Sequence, residues 1–178
     1  MILFTPTRWF TKIKKSSRLS VSSPKNCKIL FRFYSDVLEQ WTVETLWANV
    51  VDEEKGLYRL DNIPFYAKSV ACDDIVFAEY DADEQFLTFR KVATTSGNST
   101  IQVVLMNPTI ETNTIRDQFN ALGCSSEKIK EGYFVLDVPV HLSYASVMIL
   151  LDDLLEKGNI YYAEACLSDK HRDEISLM

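Results

Sequence analysis

The stretch TIQVVLMNPTIETNTIRDQFNALG, residues 100–123, determines the predicted fold class. Residues 100–106 are rich in β-branched and apolar side chains, a composition that predicts a strand. Residues 107–109 contain a proline and predict the start of a helix, which Gly123 ends. Three apolar side chains share one face of this helix: Ile115, Phe119 and Leu122.

The alternation of strands and helices continues to the end of the chain. Residues 125–129 and 133–138 predict two strands, residues 142–156 a second helix, and residues 160–167 a final strand. The second helix should turn inward its apolar side chains Val147, Leu150, Leu151, Leu154 and Leu155. The order β-α-β-β-α-β is that of a ferredoxin-like unit, so we expect residues 99–178 to form one, with a polar C-terminal tail.

Short strands also precede this unit. They are separated by turns rich in Asp, Glu and Gly, and they cover residues 27–34, 43–50, 57–60, 75–80 and 86–92. Such a succession predicts an antiparallel β meander or partial barrel over residues 27–98. The fold class of the chain is therefore predicted as α+β.

Charge is unevenly distributed along the chain. Residues 1–28 carry seven basic side chains and no acidic one, whereas residues 29–178 carry 12 basic and 25 acidic side chains. A body this acidic repels nucleic acid and attracts a basic protein. We therefore expect no nucleic acid among the partners. No apolar run approaches the roughly 20 residues that cross a bilayer, so we expect no membrane association either.

Residues 1–26 form a basic N-terminal extension. Residues 5–15 could form a short amphipathic helix, and five serines within residues 16–23 are typical of a flexible linker. Three interpretations remain open: a partner-binding arm, a disordered or weakly docked tail, or a targeting peptide that is removed. In the first, the side chains that contact the partner are Arg8, Trp9, Phe10, Lys12, Lys14 and Lys15.

The usual signatures of catalysis and of metal binding are missing from the sequence. His141 lies beside the predicted start of the second helix and His171 lies in the polar tail, while the four cysteines have no C-x-x-C spacing. Glycine-rich phosphate loops and the hydrolase elbow are absent too. We expect no cofactor, no metal and no catalytic residue, and we interpret Cys124 as a core cysteine rather than a nucleophile.

A dense acidic cluster lies between the predicted fourth and fifth strands: Glu79, Asp81, Asp83 and Glu84. It lacks the order of ligands in an EF-hand, which disfavours calcium. Two interpretations remain, a solvated turn and an electrostatic face for a basic protein partner.

Four motifs resemble those of an uncharacterised bacterial family of domains of unknown function. That family's pattern is E-x-L-W-A, L-D-N-I-P-F, G-D-x-V and S-G-x-S. This chain has Glu44-Thr45-Leu46-Trp47-Ala48, Leu60-Asp61-Asn62-Ile63-Pro64-Phe65, Asp73-Asp74-Ile75-Val76 and Ser96-Gly97-Asn98-Ser99. The resemblance covers about residues 41–167 and departs from the pattern at Asp73, where glycine is usual. Some members of the family resemble immunity proteins encoded beside polymorphic toxins of the Rhs or contact-dependent kind.

The second motif also has a structural interpretation. Pro64 favours an extended Ile63, Asn62 can bond neighbouring backbone, and Phe65 is expected to be buried. An alternative is a small-ligand groove between the strand of Trp47 and the loop of Asp61.

The resemblance and the charge together predict a non-enzymatic immunity protein of the bacterial cytoplasm. We expect a monomer that binds one cognate toxin domain and blocks its active site. The toxin would act on RNA or a nucleotide, as a nuclease or an ADP-ribosyltransferase, because such an enzyme exposes a positive cleft. The alternative is a small-ligand-binding regulatory domain, and a third hypothesis is an unrecognised enzyme.

Overall fold

The computed structural model describes residues 26–35 and 39–177, which form a mixed α/β fold of two sheets and three helices with strand predominating. The first sheet contains β1 (Asn26–Ser35), β2 (Gln40–Asp52), β3 (Leu57–Leu60), β4 (Ile75–Asp81) and β5 (Phe86–Thr94). The second contains β6 (Ser99–Leu105), β7 (Ser125–Lys130), β8 (Tyr133–Val138) and β9 (Ile160–Cys166). The helices are α1 (Thr112–Ala121), α2 (Tyr144–Glu156) and α3 (Asp169–Ser176). Each predicted strand is confirmed to within three residues at its ends.

The first sheet is a closed barrel in the order β1-β2-β3-β4-β5. Consecutive strands pair antiparallel, and because their number is odd, β5 meets β1 in parallel, with Leu30 opposite Thr88. Alternate side chains of the strands fill the interior, among them Ile29, Leu46, Leu60 and Val76, each fully buried. The segment that was expected to form a meander or partial barrel therefore forms a closed barrel.

The second sheet has the order β7-β8-β6-β9, and every neighbouring pair is antiparallel. Its core side is covered by α1 through Ile115 and Phe119 and by α2 through Val147 and Leu151. These helical side chains pack on alternate residues of β6 and β8: Ile101, Val103, Phe134, Leu136 and Val138.

Helix ends differ from the predictions in two ways. Helix α1 begins at Thr112 rather than at residues 107–109, because the side chain of Asn107 accepts a hydrogen bond from the backbone N–H of Thr109 at 3.0 Å and holds that segment in a turn. The predicted inward position of Leu155 is wrong, since its side chain is 37% exposed, and Leu122, which was expected to share a face with Ile115 and Phe119, is 38% exposed. Both lie at helix ends, where the sheet no longer covers them.

The predicted polar C-terminal tail is helical, since residues 169–176 form α3. His171 is fully buried and stacks on Tyr144 with 5.4 Å between ring centroids. A carboxylate oxygen of Glu174 accepts the backbone N–H of Tyr144 at 2.7 Å and so caps α2 from another helix. Only one side chain of α3 is buried, so its sequence has no apolar periodicity to predict a helix.

Candidate partner-binding surface

Strands β1 and β2 present an outer face of aromatic and basic side chains. Cross-strand register places Lys28 opposite Trp47, Arg32 opposite Val43 and Tyr34 opposite Trp41. We call these six residues the aromatic face. All are exposed, with Trp41 62% and Trp47 49% accessible, because odd positions of β2 point away from the barrel interior.

The rings of the aromatic face are held by their neighbours. The Lys28 ammonium lies 4.6 Å from the ring centre of Trp47, and the Arg32 guanidinium lies 5.1 Å from that of Trp41. Tyr34 meets Trp41 edge to face with 6.0 Å between centroids. Cations over indole rings restrict the rotamers of both partners, so the aromatic face is partly preorganised.

Beside the aromatic face lies a cavity of about 440 Å³ that we call the arginine cup. It is lined by Arg32, Trp41, Asp81, Glu84, Thr88, Phe89 and Arg90. It therefore joins the end of the β1-β2 hairpin to the β4-β5 hairpin. Trp41 and Arg32 belong both to the cup and to the aromatic face, so the two form one continuous surface.

The structure brings most of the predicted acidic cluster to this cup, with arginines between the carboxylates. Arg90 donates to Glu79 at 2.8 Å and to Asp81 at 2.7 Å, and Arg32 donates to Glu84 at 2.9 Å. The bond to Arg90 holds the pKa of Asp81 below its usual value, and the same bond raises the pKa of Arg90. The cluster is thus a network of alternating charges and not a purely acidic face.

Asp83 differs from the other three acidic residues. Its side chain is exposed, and its backbone N–H donates to the Asp81 carboxylate at 3.0 Å, as does that of Glu84 at 3.2 Å. Asp81 therefore shapes the hairpin turn as well as binding Arg90.

The L-D-N-I-P-F motif ties the barrel to the second sheet. On the barrel side, Asp61 N–H donates to the Trp47 carbonyl at 2.8 Å, and Trp47 N–H donates to the Asn62 side chain at 2.7 Å. The Glu44 carboxylate accepts three successive backbone N–H groups, those of residues 65–67, at 2.8, 3.0 and 2.8 Å. These bonds occupy the space between the Trp47 strand and the Asp61 loop, where a ligand groove had been the alternative expectation.

On the sheet side, the same motif contacts β6, β7 and β8. Ile63 N–H donates to Glu127 at 3.0 Å, and the Phe65 carbonyl accepts from Gln102 at 2.9 Å and from the Tyr133 hydroxyl. Ile63 and Pro64 are buried, whereas Phe65 is only half-buried, so its expected burial is wrong. Phe65 stays at the surface because its ring packs beside Tyr66 and Tyr133 at the rim of the sheet.

The two remaining motifs meet at a buried polar network. The Asp74 carboxylate is 2% exposed and accepts Ala71 N–H at 2.9 Å, Ser96 N–H at 2.7 Å and the Ser96 hydroxyl at 2.9 Å. Asp73 has a φ of 65°, a left-handed conformation that glycine adopts without strain, which explains why glycine is usual there. Gly97 has a φ of 83°, and a Cβ there would come within 2.8 Å of Val140.

Ser99 and His171 form a hydrogen-bonded pair, with 2.7 Å between Oγ and Nδ1. Both residues are fully buried, and burial lowers the pKa of His171. A serine–histidine pair without access for substrate cannot act as a nucleophile and base. The pair instead joins β6 to α3.

The other chemically reactive residues do not form a site. His141 is exposed beside α2, Cys124 is buried, and burial raises the pKa of the Cys124 thiol to about 11. Within residues 26–35 and 39–177, no group of three or more His, Cys, Asp or Glu side chains could hold a metal ion. No helix in the described ranges is long and apolar enough to cross a membrane.

The predicted partner-binding residues of the arm lie outside the described residues: Arg8, Trp9, Phe10, Lys12, Lys14 and Lys15. The sequence reasoning missed Arg32, Arg90 and Trp41 as members of a site. For Arg32 and Trp41 a signal existed, since basic or aromatic side chains occupy positions 28, 32 and 34 and positions 41 and 47, which fit the two-residue period of one strand face.

The chain has the fold of a hypothetical protein from Neisseria gonorrhoeae whose crystal structure aligns with a TM-score of 0.70 and 23% sequence identity, over 83% of this chain and 99% of that one. No curated protein matches the chain. The model of the family described as domain of unknown function DUF4265 matches residues 44–162, which include the four motifs that tie the two sheets together. The chain therefore belongs to the DUF4265 family.

Proposed function

We propose that this protein is a non-enzymatic protein-binding module that docks its partner on the aromatic face and the arginine cup. The proposal rests on the observation that Trp41, Arg32 and the carboxylates of Asp81 and Glu84 line one exposed cup. Tryptophan, tyrosine and arginine are the residues that most often dominate binding energy at protein interfaces. A soluble protein seldom exposes two tryptophans on one strand face without using them.

We further propose that the partner is a toxin domain and that the protein is its immunity protein. The support is the resemblance of some relatives to immunity proteins, together with the acidic body of the chain. A toxin that acts on RNA or a nucleotide, whether nuclease or ADP-ribosyltransferase, presents a positive cleft to its substrate. In this proposal one protein monomer covers that cleft in the bacterial cytoplasm.

The charge network of the cup fits such a partner. Glu79, Asp81 and Glu84 pair with Arg32 and Arg90, and the partly exposed carboxylates retain oxygen lone pairs for a lysine or arginine of the partner. Trp41 adds an aromatic surface on which a guanidinium can stack. Charge pairs of this kind accelerate association and select the partner, while the aromatic rings supply most of the affinity.

The second sheet and its helices, which lie outside this surface, also have a proposed fold name. We infer that residues 99–177 form a ferredoxin-like unit, supported by the strand order β7-β8-β6-β9 and by two helices packed on one side of the sheet. The fold hosts many functions and carries none of the argument for toxin binding.

The alternative, a small-ligand-binding regulator, has less support. The cavity lined by Asp74, Asn98 and Ser168 at the start of α3 has a volume of about 170 Å³, below the roughly 300 Å³ of most metabolite pockets. A cavity of about 450 Å³ bordered by residues 105–112, 131 and 132 has the required size, but Thr112 is the only one of its lining residues that is buried.

The experiment is a binding measurement between the full-length protein and the C-terminal domain of the toxin encoded beside it. Trp41→Ala should weaken binding at least tenfold, since a buried interface tryptophan contributes about 2 kcal/mol or more. Ile149→Ala is the matched control, because Ile149 is 63% exposed on α2, away from the surface. Equal affinity of the two variants, or no complex with the neighbouring toxin, would reject the proposal.

A second measurement tests steering by charge. The amide replacements Glu79→Gln, Asp81→Asn, Asp83→Asn and Glu84→Gln should slow association and flatten its dependence on salt. The control neutralises four acidic residues outside the cup: Asp117→Asn, Asp153→Asn, Glu156→Gln and Asp169→Asn. An equal loss of association rate in both sets would mean that net charge alone attracts the toxin.

A further inference from the structure

Strand β9 is an outer strand of the second sheet and, among the strands that the structure describes, pairs only with β6. Its register places Val104 opposite Tyr161 and Leu105 opposite Ile160. Met106 N–H donates to the Asn159 carbonyl at 2.8 Å, whereas Leu105 N–H donates to Gly132 on the other side of β6. Because antiparallel pairs alternate between bonded and unbonded, residues 161 and 163 bond to β6, and residues 160, 162 and 164 point their backbone groups outward.

This outward edge is exposed at Glu164 and partly exposed at Tyr162, whereas Ile160 is fully buried. In the described part of the chain, the only backbone contact from another segment to this edge is that of Ser69 N–H to the Ala165 carbonyl, at 2.9 Å, near the end of the strand. Among the described residues, the N–H and C=O groups of residues 162 and 164 therefore remain available in a row. A row of this kind is a template for another strand.

The opposite outer strand, β7, is protected against pairing with a further strand, and β9 is not. Lys128 and Lys130 lie on β7, and its pairing with β8 is shifted between them. Charged side chains and bulges of this kind protect edges from pairing. Residues 160–164 contain no Lys, Arg or Pro, and their one charged residue, Glu164, accepts the Tyr144 hydroxyl at 2.5 Å.

The two sides of the β9 edge differ in chemistry. On the side facing away from the helices, Tyr161 is 61% exposed beside Val104, which is 43% exposed. On the helix side, the Tyr162 hydroxyl donates to Asp152 at 2.8 Å, so the Asp152 and Glu164 carboxylates flank the strand. An added strand would meet an apolar surface on one side and acidic groups on the other.

We infer that β9 accepts an added β-strand from a partner protein, supplied by an extended segment with alternating apolar and basic side chains. The apolar side chains pack on Tyr161 and Val104, the basic side chains face Asp152 and Glu164, and backbone bonds form with residues 162 and 164. This docking mode does not depend on the aromatic face or on the partner being a toxin, so either proposal can fail alone.

The test uses the full-length protein and an acetylated heptapeptide of alternating lysine and valine. Amide hydrogen exchange followed by NMR should slow at least tenfold at residues 162 and 164 when the peptide is bound. Two further peptides carry N-methyl groups on every second amide, in the two possible frames. One frame should bind at least tenfold more weakly, because methylation removes the donors that pair with β9 while keeping every charge.

A variant with a protective charge on β9, which we call the guard variant, completes the test. Ala163→Lys places on β9 the kind of charge that β7 already carries, and should weaken the unmodified peptide at least tenfold; Ile129→Lys on β7 should not. The proposal is overturned by an absence of binding at about 1 mM peptide, which corresponds to about 4 kcal/mol, by equal binding of all three peptides, or by an unaffected guard variant. If amides 162 and 164 are already protected in the free protein, and more so at higher protein concentration, the edge pairs with a second copy of this chain instead.

Discussion

Replacement of Asp137 by asparagine should stabilise the protein at alkaline pH and not at acidic pH. Asp137 is 6% exposed beneath the segment that links the barrel to the sheet, and its Oδ1 has no partner among the described residues. Its Oδ2 has one weak contact, 3.4 Å from the Asn98 amide nitrogen. Burial raises the pKa of Asp137 to about 7, and the negative charges of Asp73, Asp74 and Glu127 add to the shift.

The sign and size of the effect follow from proton linkage. The Asp137 carboxyl ionises above about pH 4 in the unfolded chain but only above about pH 7 in the folded one. Between these two pH values the folded state binds one more proton than the unfolded state, so the free energy of unfolding falls as the pH rises. A shift of about three pKa units corresponds to about 4 kcal/mol in total, of which about 3 kcal/mol falls between pH 5 and pH 9. Asparagine does not titrate, so the Asp137→Asn variant should not lose stability as the pH rises. Against this gain stands a cost of about 1 to 3 kcal/mol for an amide donor left without an acceptor.

The assay is urea unfolding of the wild type and Asp137→Asn at pH 5, 7 and 9. The difference between their free energies of unfolding should shift by about 3 kcal/mol in favour of the variant from pH 5 to pH 9. Titration of His171 cancels in this difference, because both proteins contain it. Asp74→Asn is the control: its equally buried carboxylate accepts three hydrogen bonds, so the variant should be less stable than wild type at pH 7 and pH 9. Parallel pH profiles for wild type and Asp137→Asn would refute the reasoning.

Four further outcomes are expected. Glu44→Gln should cost about 2 to 4 kcal/mol of stability in urea unfolding and speed amide exchange at residues 65–67, because one carboxylate accepts all three of those N–H groups; unchanged exchange would contradict this. His171→Phe should remove the part of the stability that wild type loses as pH falls below about 6.5, since the buried imidazole resists protonation that the unfolded chain accepts; an unaltered acid limb in thermal unfolding would argue against it. Deletion of residues 1–24 should leave a folded protein by circular dichroism that binds toxin more weakly, and full affinity in calorimetry would mean that the arm takes no part. His141→Ala should still protect cells from the toxin, whereas loss of protection by a folded variant would favour an enzyme.

The strands were predictable because their pattern is local. A run such as residues 57–60 or 133–138 carries its β-branched and aromatic side chains within itself, and its turn residues lie directly beside it. The two long helices were predictable for the same reason, except at their ends, where the Asn107 turn and the limits of the sheet decide the boundary. The acidic cluster was visible as composition, but its pairing with Arg32 and Arg90 was not.

Residue types and their period therefore determined the elements, the acidic body and the motifs of this protein, since each depends on neighbours in sequence. Only the tertiary structure decided what depends on residues far apart in the chain. Closure of the barrel joins β1 to β5, the bonds of Glu44 reach residues 65–67, and α3 forms because His171 fits between Ser99 and Tyr144. These contacts form because burying apolar groups and hydrogen-bonding buried polar groups lower the free energy of the folded state. The partners are far apart in the chain, so no periodic pattern in the sequence indicates them.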